Sequence, residues 1–314
     1  MKSFLINLFK FGIYTLSVYV IAVVIFGLFA PGILKKNLNY KLGGNGFLYS
    51  RLQEAKGHHK VDVLFIGSSH AYRGYDSRIF SDHQMTSFNL GSSAQPPIIT
   101  EIFIKKYLDK FQPKLVIFDV YPKVFGSDGV ESSLDVLANE EIDRNLFKLA
   151  FDVNHIKTYN VLIYSWFRQK FGLNKNFREL KHRNLDTYIE GGYVESYQKY
   201  KPKRPITNSK YELNAHQFDA FKQIIAILKD RKTPYVLIQS PISQKLYHSI
   251  SNNTEMDSIY TKYGRYYNFN NTLKLPDSLF FDDNHLNQNG VNIFNQDLIK
   301  TLHLNSGLAK NPHK

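Results

Sequence analysis

Apolar residues run almost unbroken from Phe11 to Leu34, FGIYTLSVYVIAVVIFGLFAPGIL, between Lys10 and Lys35. At about 1.5 Å per residue, such a run crosses a hydrocarbon core of roughly 30 Å as one helix. It exceeds the roughly 7–15 apolar residues of a secretory signal, and Pro31 follows Ala30, the one plausible small-residue stop. The pattern therefore predicts an uncleaved anchor over 11–34. Lys2, Lys10 and the α-amino group before it nearly balance Lys35, Lys36 and Lys41 after it; the expected orientation is N-terminus inside, domain outside.

Past the anchor, KLGGNG breaks the pattern and FLYSRLQEAKGHHK predicts a short helix leading to a domain that begins near Lys60. Four runs, VDVLFIG (61–67), SFNLG (87–91), LVIFDVY (115–121) and YVLIQSP (235–241), are short and mostly too continuously apolar for a half-exposed sheet. They read as buried parallel strands. Helical patterns lie between them at 98–111 and 215–232, where Phe218, Phe221, Ile225 and Leu228 recur on one face. This alternation predicts a doubly wound α/β sheet.

The stretch from about 125 to 212 breaks that rhythm. It holds Trp166 and a basic, tyrosine-rich tract, FRELKHRNLDTYIEGGYVESYQKYKPKRP (177–205), and is read as an insertion over the sheet. It either packs on the domain as an irregular excursion through its tyrosines or grips substrate. The expected organisation is anchor and linker over 1–59, an α/β domain over 60–303 with this insertion, and a tail over 304–314.

The composition narrows the partners. With 314 residues, 43% of them hydrophobic, the chain can bury a sizeable core, and its lack of cysteine decides nothing about compartment. A net charge of +13 is spread along the chain with no zinc-finger, helix-turn-helix or RNP pattern. An anionic envelope or membrane surface is the expected partner, and nucleic acid is not.

In open α/β sheets, ligands bind beyond the carboxyl ends of the strands. The first run ends in Gly67-Ser68-Ser69-His70, where a helix starting at Ser69 aims free N–H groups at an anion formed beside the hydroxyl. The competing reading is that Ser68 or Ser69 merely caps that helix. Downstream, FFDDNHLNQNGVNIF (280–294) places Asp282 three residues before His285, so the carboxylate can fix the imidazole tautomer while the other nitrogen faces a serine. Asn287 is expected to cap a last helix with Val291 and Phe294 facing inward. Competing readings are a polar capping loop and a metal set of Asp282, Asp283 and His285. His70, beside Ser69, points differently and is not the expected base. Arg73 either binds a substrate anion or pairs with Asp76, the pairing being favoured.

The blocks FIGSSH (65–70), FNLGSS (88–93) and DDNHLN (282–287), taken in order, resemble the SGNH hydrolases, the GDSL-like esterase and acyltransferase superfamily. The resemblance covers roughly 60–122 and 212–303. It implies a flavodoxin-like three-layer α/β/α fold with a parallel sheet, Ser69 as nucleophile, Asp282 and His285 as its partners, and no metal or organic cofactor. It makes the N–H groups of Ser69 and Gly91 oxyanion donors and puts Ser68 where the family carries aspartate. The third block departs: Asp119-Val120-Tyr121-Pro122 puts Tyr121 in place of the oxyanion-binding asparagine. Losing one such donor costs on the order of 3 kcal/mol of transition-state stabilisation. His70 and Arg73 are candidate substrate contacts. The resemblance to anchored bacterial members implies acyl transfer on envelope polysaccharide or another acylated envelope substrate, with a membrane acyl-donor protein as a partner in transfer. The alternative is a catalytically weak member acting as a glycan-binding or scaffold component of an envelope complex.

Overall fold

The computed structural model describes residues 1–57, 60–202 and 205–304. The chain runs through α1 (Lys2–Phe29), α2 (Leu48–Gly57), β1 (Val63–Ile66), α3 (Ser69–Gly74), α4 (Ser77–Asp82), β2 (Ser87–Asn89), α5 (Pro97–Phe111) and β3 (Leu115–Asp119). It continues through α6 (Val130–Asn139), α7 (Arg144–Val153), α8 (Ile156–Lys170), β4 (His182–Arg183), β5 (Asp186–Ile189) and β6 (Tyr193–Ser196). Last come α9 (Ala215–Asp230), β7 (Tyr235–Gln239), α10 (Gln244–His248), α11 (Asn253–Thr261), β8 (Tyr266–Asn268), α12 (Phe269–Thr272) and α13 (Gln288–Thr301). Beyond Leu304, the expected tail lies outside the described residues.

Five strands pair in parallel in the order β2-β1-β3-β7-β8. Every residue of β1 is buried, because helices cover both faces of the sheet. On one face Val63, Phe65, Ile117 and Ile238 share a core with Tyr75, Phe80, Val291 and Phe294. On the other, Phe88 stacks on Phe111 of α5 with centroids 4.9 Å apart, and Phe118 meets Phe221 of α9 at 5.8 Å. The period of two along each strand thus divides its side chains between two helical layers, giving the three-layer α/β/α architecture.

The four expected strands are present but shorter, each ending where the chain turns toward its following loop. The fifth, β8, was not anticipated. It is an edge strand in which Tyr266 and Tyr267 stay half-buried, so it lacks an apolar run.

The chain divides into two compact units, one of residues 1–42 and 133–178, the other of 43–132 and 179 onward. The first contains α1, which is long and apolar enough to cross a membrane. This helix starts earlier than the expected span and stops at Phe29, because Pro31 forces Ala30 into an extended conformation. Within this unit α8 packs on α1, with Tyr164 donating its hydroxyl to the Gly27 carbonyl at 2.9 Å. Phe147, Phe151, Ile156 and Trp166 on α7 and α8 remain exposed.

In the second unit, β4, β5 and β6 form an antiparallel sheet. Part of the insertion expected over about 125 to 212 is therefore regular structure, against the reading of it as an irregular excursion. The alternating residues around Gly191-Gly192 form a hairpin, and the buried Arg51 of α2 donates Nε to the Gly192 carbonyl at 2.8 Å.

Candidate active site

Ser69 owes its position to Gly67, where the buried strand β1 gives way to α3. Gly67 has φ 140°, and a Cβ there would lie 2.7 Å from the Asp119 carbonyl oxygen. Only glycine lets the chain turn against the end of β3. Ser68 is fully buried and caps α3, its Oγ accepting from the His70 N–H at 3.4 Å. Capping thus falls to Ser68, and Ser69 lines a cleft with its Oγ 2.8 Å from His285 Nε2.

The loop before α13 holds His285 from several directions. Asp282 Oδ1 accepts from the N–H groups of Asn284 and His285, each at 2.9 Å, and lies 2.8 Å from His285 Nδ1. Asn287 caps α13 by accepting from the Gly290 N–H at 3.1 Å, and Val291 and Phe294 seat that helix in the core. The His285 ring lies on Phe281, with centroids 5.2 Å apart and planes within 6°. With Nδ1–H donated to the buried Asp282, Nε2 is left to accept from the Ser69 hydroxyl.

His70 is buried in the cleft wall, its ring 3.9 Å from Tyr121 and 5.1 Å from His285. Burial, reinforced by His285, holds its pKa well below the ordinary value, so it stays neutral and adds no charge beside His285. Tyr121 follows β3 and lines the same cleft as Ser69, with its hydroxyl donated to Asn284 Oδ1 at 2.7 Å. Burial raises its pKa well above the ordinary value, which keeps it protonated.

Two expectations are corrected. Gly91 donates its N–H to Asn89 Oδ1 at 2.9 Å, which removes it as an oxyanion donor. Its glycine is needed for packing: a Cβ would lie 2.7 Å from the Ser68 carbonyl oxygen and 2.8 Å from Ala71 Cβ. Arg73 pairs with Asp186 at 2.7 Å instead of Asp76, which caps α4 and binds Arg78. Asp186 belongs to β5, so the partner became visible only once the inserted strands were placed.

The site also contains residues the sequence reading passed over. Ala94, with φ 48°, lines the cleft, and among the described residues neither its amide nor that of Ser69 donates a hydrogen bond. Asn284 lines it as well, inside a motif valued for its neighbours. The cleft has a volume of about 500 Å³, with Tyr211 and Val124 on its walls and Lys123 and Lys210 at exposed positions.

Among the described residues, no group of three or more His, Cys, Asp or Glu side chains is arranged to hold a metal ion. Asp283 instead accepts from the Tyr200 hydroxyl at 2.7 Å. An aligned carboxylate, imidazole and hydroxyl at the mouth of a cleft can deprotonate the serine and stabilise the resulting imidazolium.

No family model and no curated protein matches the chain. Among solved structures it is similar to a protein of Bacteroides fragilis provisionally described as an acylhydrolase. The match has 10% identity and a TM-score of 0.39, and covers 82% of this chain and 99% of that one.

Proposed function

We propose that this protein is a serine esterase or O-acyltransferase of the SGNH type, anchored in the cytoplasmic membrane by α1 with its α/β unit on the extracytoplasmic side. The observation that carries the reading is the line from Ser69 Oγ through His285 to Asp282 Oδ1, both links 2.8 Å long. As Ser69 Oγ attacks an ester carbonyl, its proton passes to His285 Nε2, and Asp282 stabilises the imidazolium. Collapse of the tetrahedral species breaks the ester C–O bond, and the departing alcohol takes the proton from Nε2. Water or a sugar hydroxyl then releases the acyl group by the same steps in reverse. The amides of Ser69 and Ala94 supply oxyanion donors.

The membrane reading is supported by the length of α1 and by the exposed Phe147, Phe151 and Trp166 in the same unit, since tryptophan favours the bilayer interface and exposed apolar rings favour an apolar partner over water. The dispersed positive charge suits an anionic envelope. The substrate class proposed is an acylated envelope glycan or another acylated envelope molecule, with a membrane protein as acyl donor if the reaction is transfer.

Labelling with a serine-reactive phosphonate tests the chemistry. Ser69→Ala abolishes labelling, whereas Ser68→Ala keeps most of it and costs stability through the lost cap, about 1 kcal/mol. A second reading, a weakly active glycan-binding or scaffold protein, draws on the internal engagement of both the Gly91 N–H and the Tyr121 hydroxyl. Equal labelling of wild type and Ser69→Ala would favour it.

A further inference from the structure

Ser69 and His285 also line a second cleft of about 340 Å³, which differs from the first in its chemistry. Its walls include the Gly44–Phe47 loop, Tyr72, Ser93, Phe281, and the charged residues Arg73, Arg183 and Asp186. The Arg73 guanidinium spends Nη2 on Asp186, while its Nη1 is buried without a hydrogen-bond partner among the described residues. Arg183 binds Glu179 and gives Nη1 to the Gly44 carbonyl at 2.8 Å, which fixes its fork at the cleft. Each guanidinium has one carboxylate partner, Glu179 for Arg183 and Asp186 for Arg73, and Asp186 is already occupied on both oxygens, by Arg73 at 2.7 Å and Gln198 at 3.0 Å. In the first cleft the charged residues are exposed, and the walls nearer the serine are Tyr121, Tyr211, Val124 and Ala94.

We infer that the second cleft is the alcohol-side subsite, selecting a hydroxyl-bearing unit that carries an anionic group, while the first cleft takes the acyl group. This rests on the ester-transfer reading above. A buried unpaired guanidinium nitrogen is costly, and a phosphate or carboxylate oxygen satisfies it with a charge-assisted bond. Ser93 and Asn184 add polar contacts for hydroxyls. In transfer, the acceptor oxygen bonds to the acyl carbon as its proton passes to His285 Nε2. The bond from that carbon to Ser69 Oγ then breaks, and Oγ recovers the proton.

The test uses the full chain in detergent micelles, with p-nitrophenyl acetate as acyl donor and glycerol, glycerate or glycerol 3-phosphate as acceptor. The expected result is saturable transfer to the two anionic acceptors, with half-saturation at least about tenfold below that of glycerol. The comparison of glycerate with glycerol 3-phosphate distinguishes a carboxylate from a phosphate source. Arg183→Gln and Arg73→Lys, the second keeping a cation beside Asp186, each raise half-saturation for the anionic acceptors about tenfold and reduce the preference over glycerol. Acylation of Ser69 with equal use of glycerol and the anions, or a preference untouched by both substitutions, overturns the subsite alone. Failure to acylate Ser69 at all overturns the ester-transfer reading and the subsite with it.

Discussion

Ser69 and His285 are 216 positions apart in the chain, yet Ser69 Oγ lies 2.8 Å from His285 Nε2. The approach has two independent supports: the turn at Gly67 brings the serine to the end of β1, and the burial of α13 fixes the loop that carries the histidine. Because Asp282 Oδ1 binds both the loop amides and the ring, the carboxylate shapes the loop as well as the tautomer.

Replacing His285 with alanine is expected to slow phosphonate labelling by on the order of 10²–10⁴, the usual contribution of a positioned general base. Asp282→Asn keeps an oxygen for the loop amides and the ring Nδ1–H but removes the negative charge that stabilises the imidazolium, and is expected to slow the reaction by up to about 10⁴. Stopped-flow labelling with circular dichroism on the same samples checks both. An Asp282→Asn protein that is folded and reacts at the wild-type rate would contradict the proposed stabilisation of the imidazolium by the Asp282 charge.

Tyr121 was expected to replace an oxyanion donor, but its hydroxyl is donated to Asn284 Oδ1. A positioning role predicts that Tyr121→Phe lowers kcat/KM for a small ester less than tenfold, against about 100-fold or more for a lost oxyanion donor. Asn284→Ala should then give a loss of similar size that does not add to that of Tyr121→Phe, because the two side chains act through one contact. A loss of 100-fold in Tyr121→Phe would restore the oxyanion role.

The apolar continuity of residues 63–66, 115–119 and 235–239 made the parallel core legible, because strands covered on both faces must be hydrophobic throughout. The triad motif was legible because Asp282 and His285 are close in sequence and Ser69 follows a strand. Arg73's partner was not, since Asp186 reaches it only through the inserted sheet. The role of Gly91 was misread for a related reason: its side of the loop is set by Asn89, a buried polar residue whose direction no periodicity encodes. Edge strand β8 escaped because its tyrosines are only half-buried and their hydroxyls find polar partners such as Asp257, 2.7 Å from Tyr266.

Beneath the site, Asp119 is buried and its Oδ2 accepts from the Tyr75 hydroxyl at 2.8 Å and from Ser240. Burial pushes its pKa up from 3.8 to about 6, against the opposing pull of Ser240 and Tyr75. The folded state therefore holds this proton more tightly than the unfolded chain. Its contribution is full below about pH 4, falls as pH rises through about 6, and amounts to about 3 kcal/mol at most. Asp119→Asn retains an acceptor oxygen without the charge and should flatten that fall. Melting temperatures of both proteins between pH 4 and 7.5 decide it, and parallel curves would exclude Asp119 as the titrating group.

The absence of cysteine from all 314 residues makes the membrane orientation directly measurable. A single cysteine at exposed Lys229, on α9 of the sheet-bearing unit, should react with a membrane-impermeant maleimide in intact cells. One at Ser3, before the long apolar stretch of α1, should react only after the membrane is opened. The two sites flank the candidate span, so one crossing requires opposite outcomes, and the expected direction is the one the proposed chemistry on an envelope substrate needs. Labelling of Ser3→Cys but not Lys229→Cys in intact cells would reverse the orientation and remove the envelope glycan as substrate. Equal labelling of both in intact cells would mean that α1 does not cross the membrane, leaving the exposed phenylalanines and tryptophan of α7 and α8 to be explained by another partner.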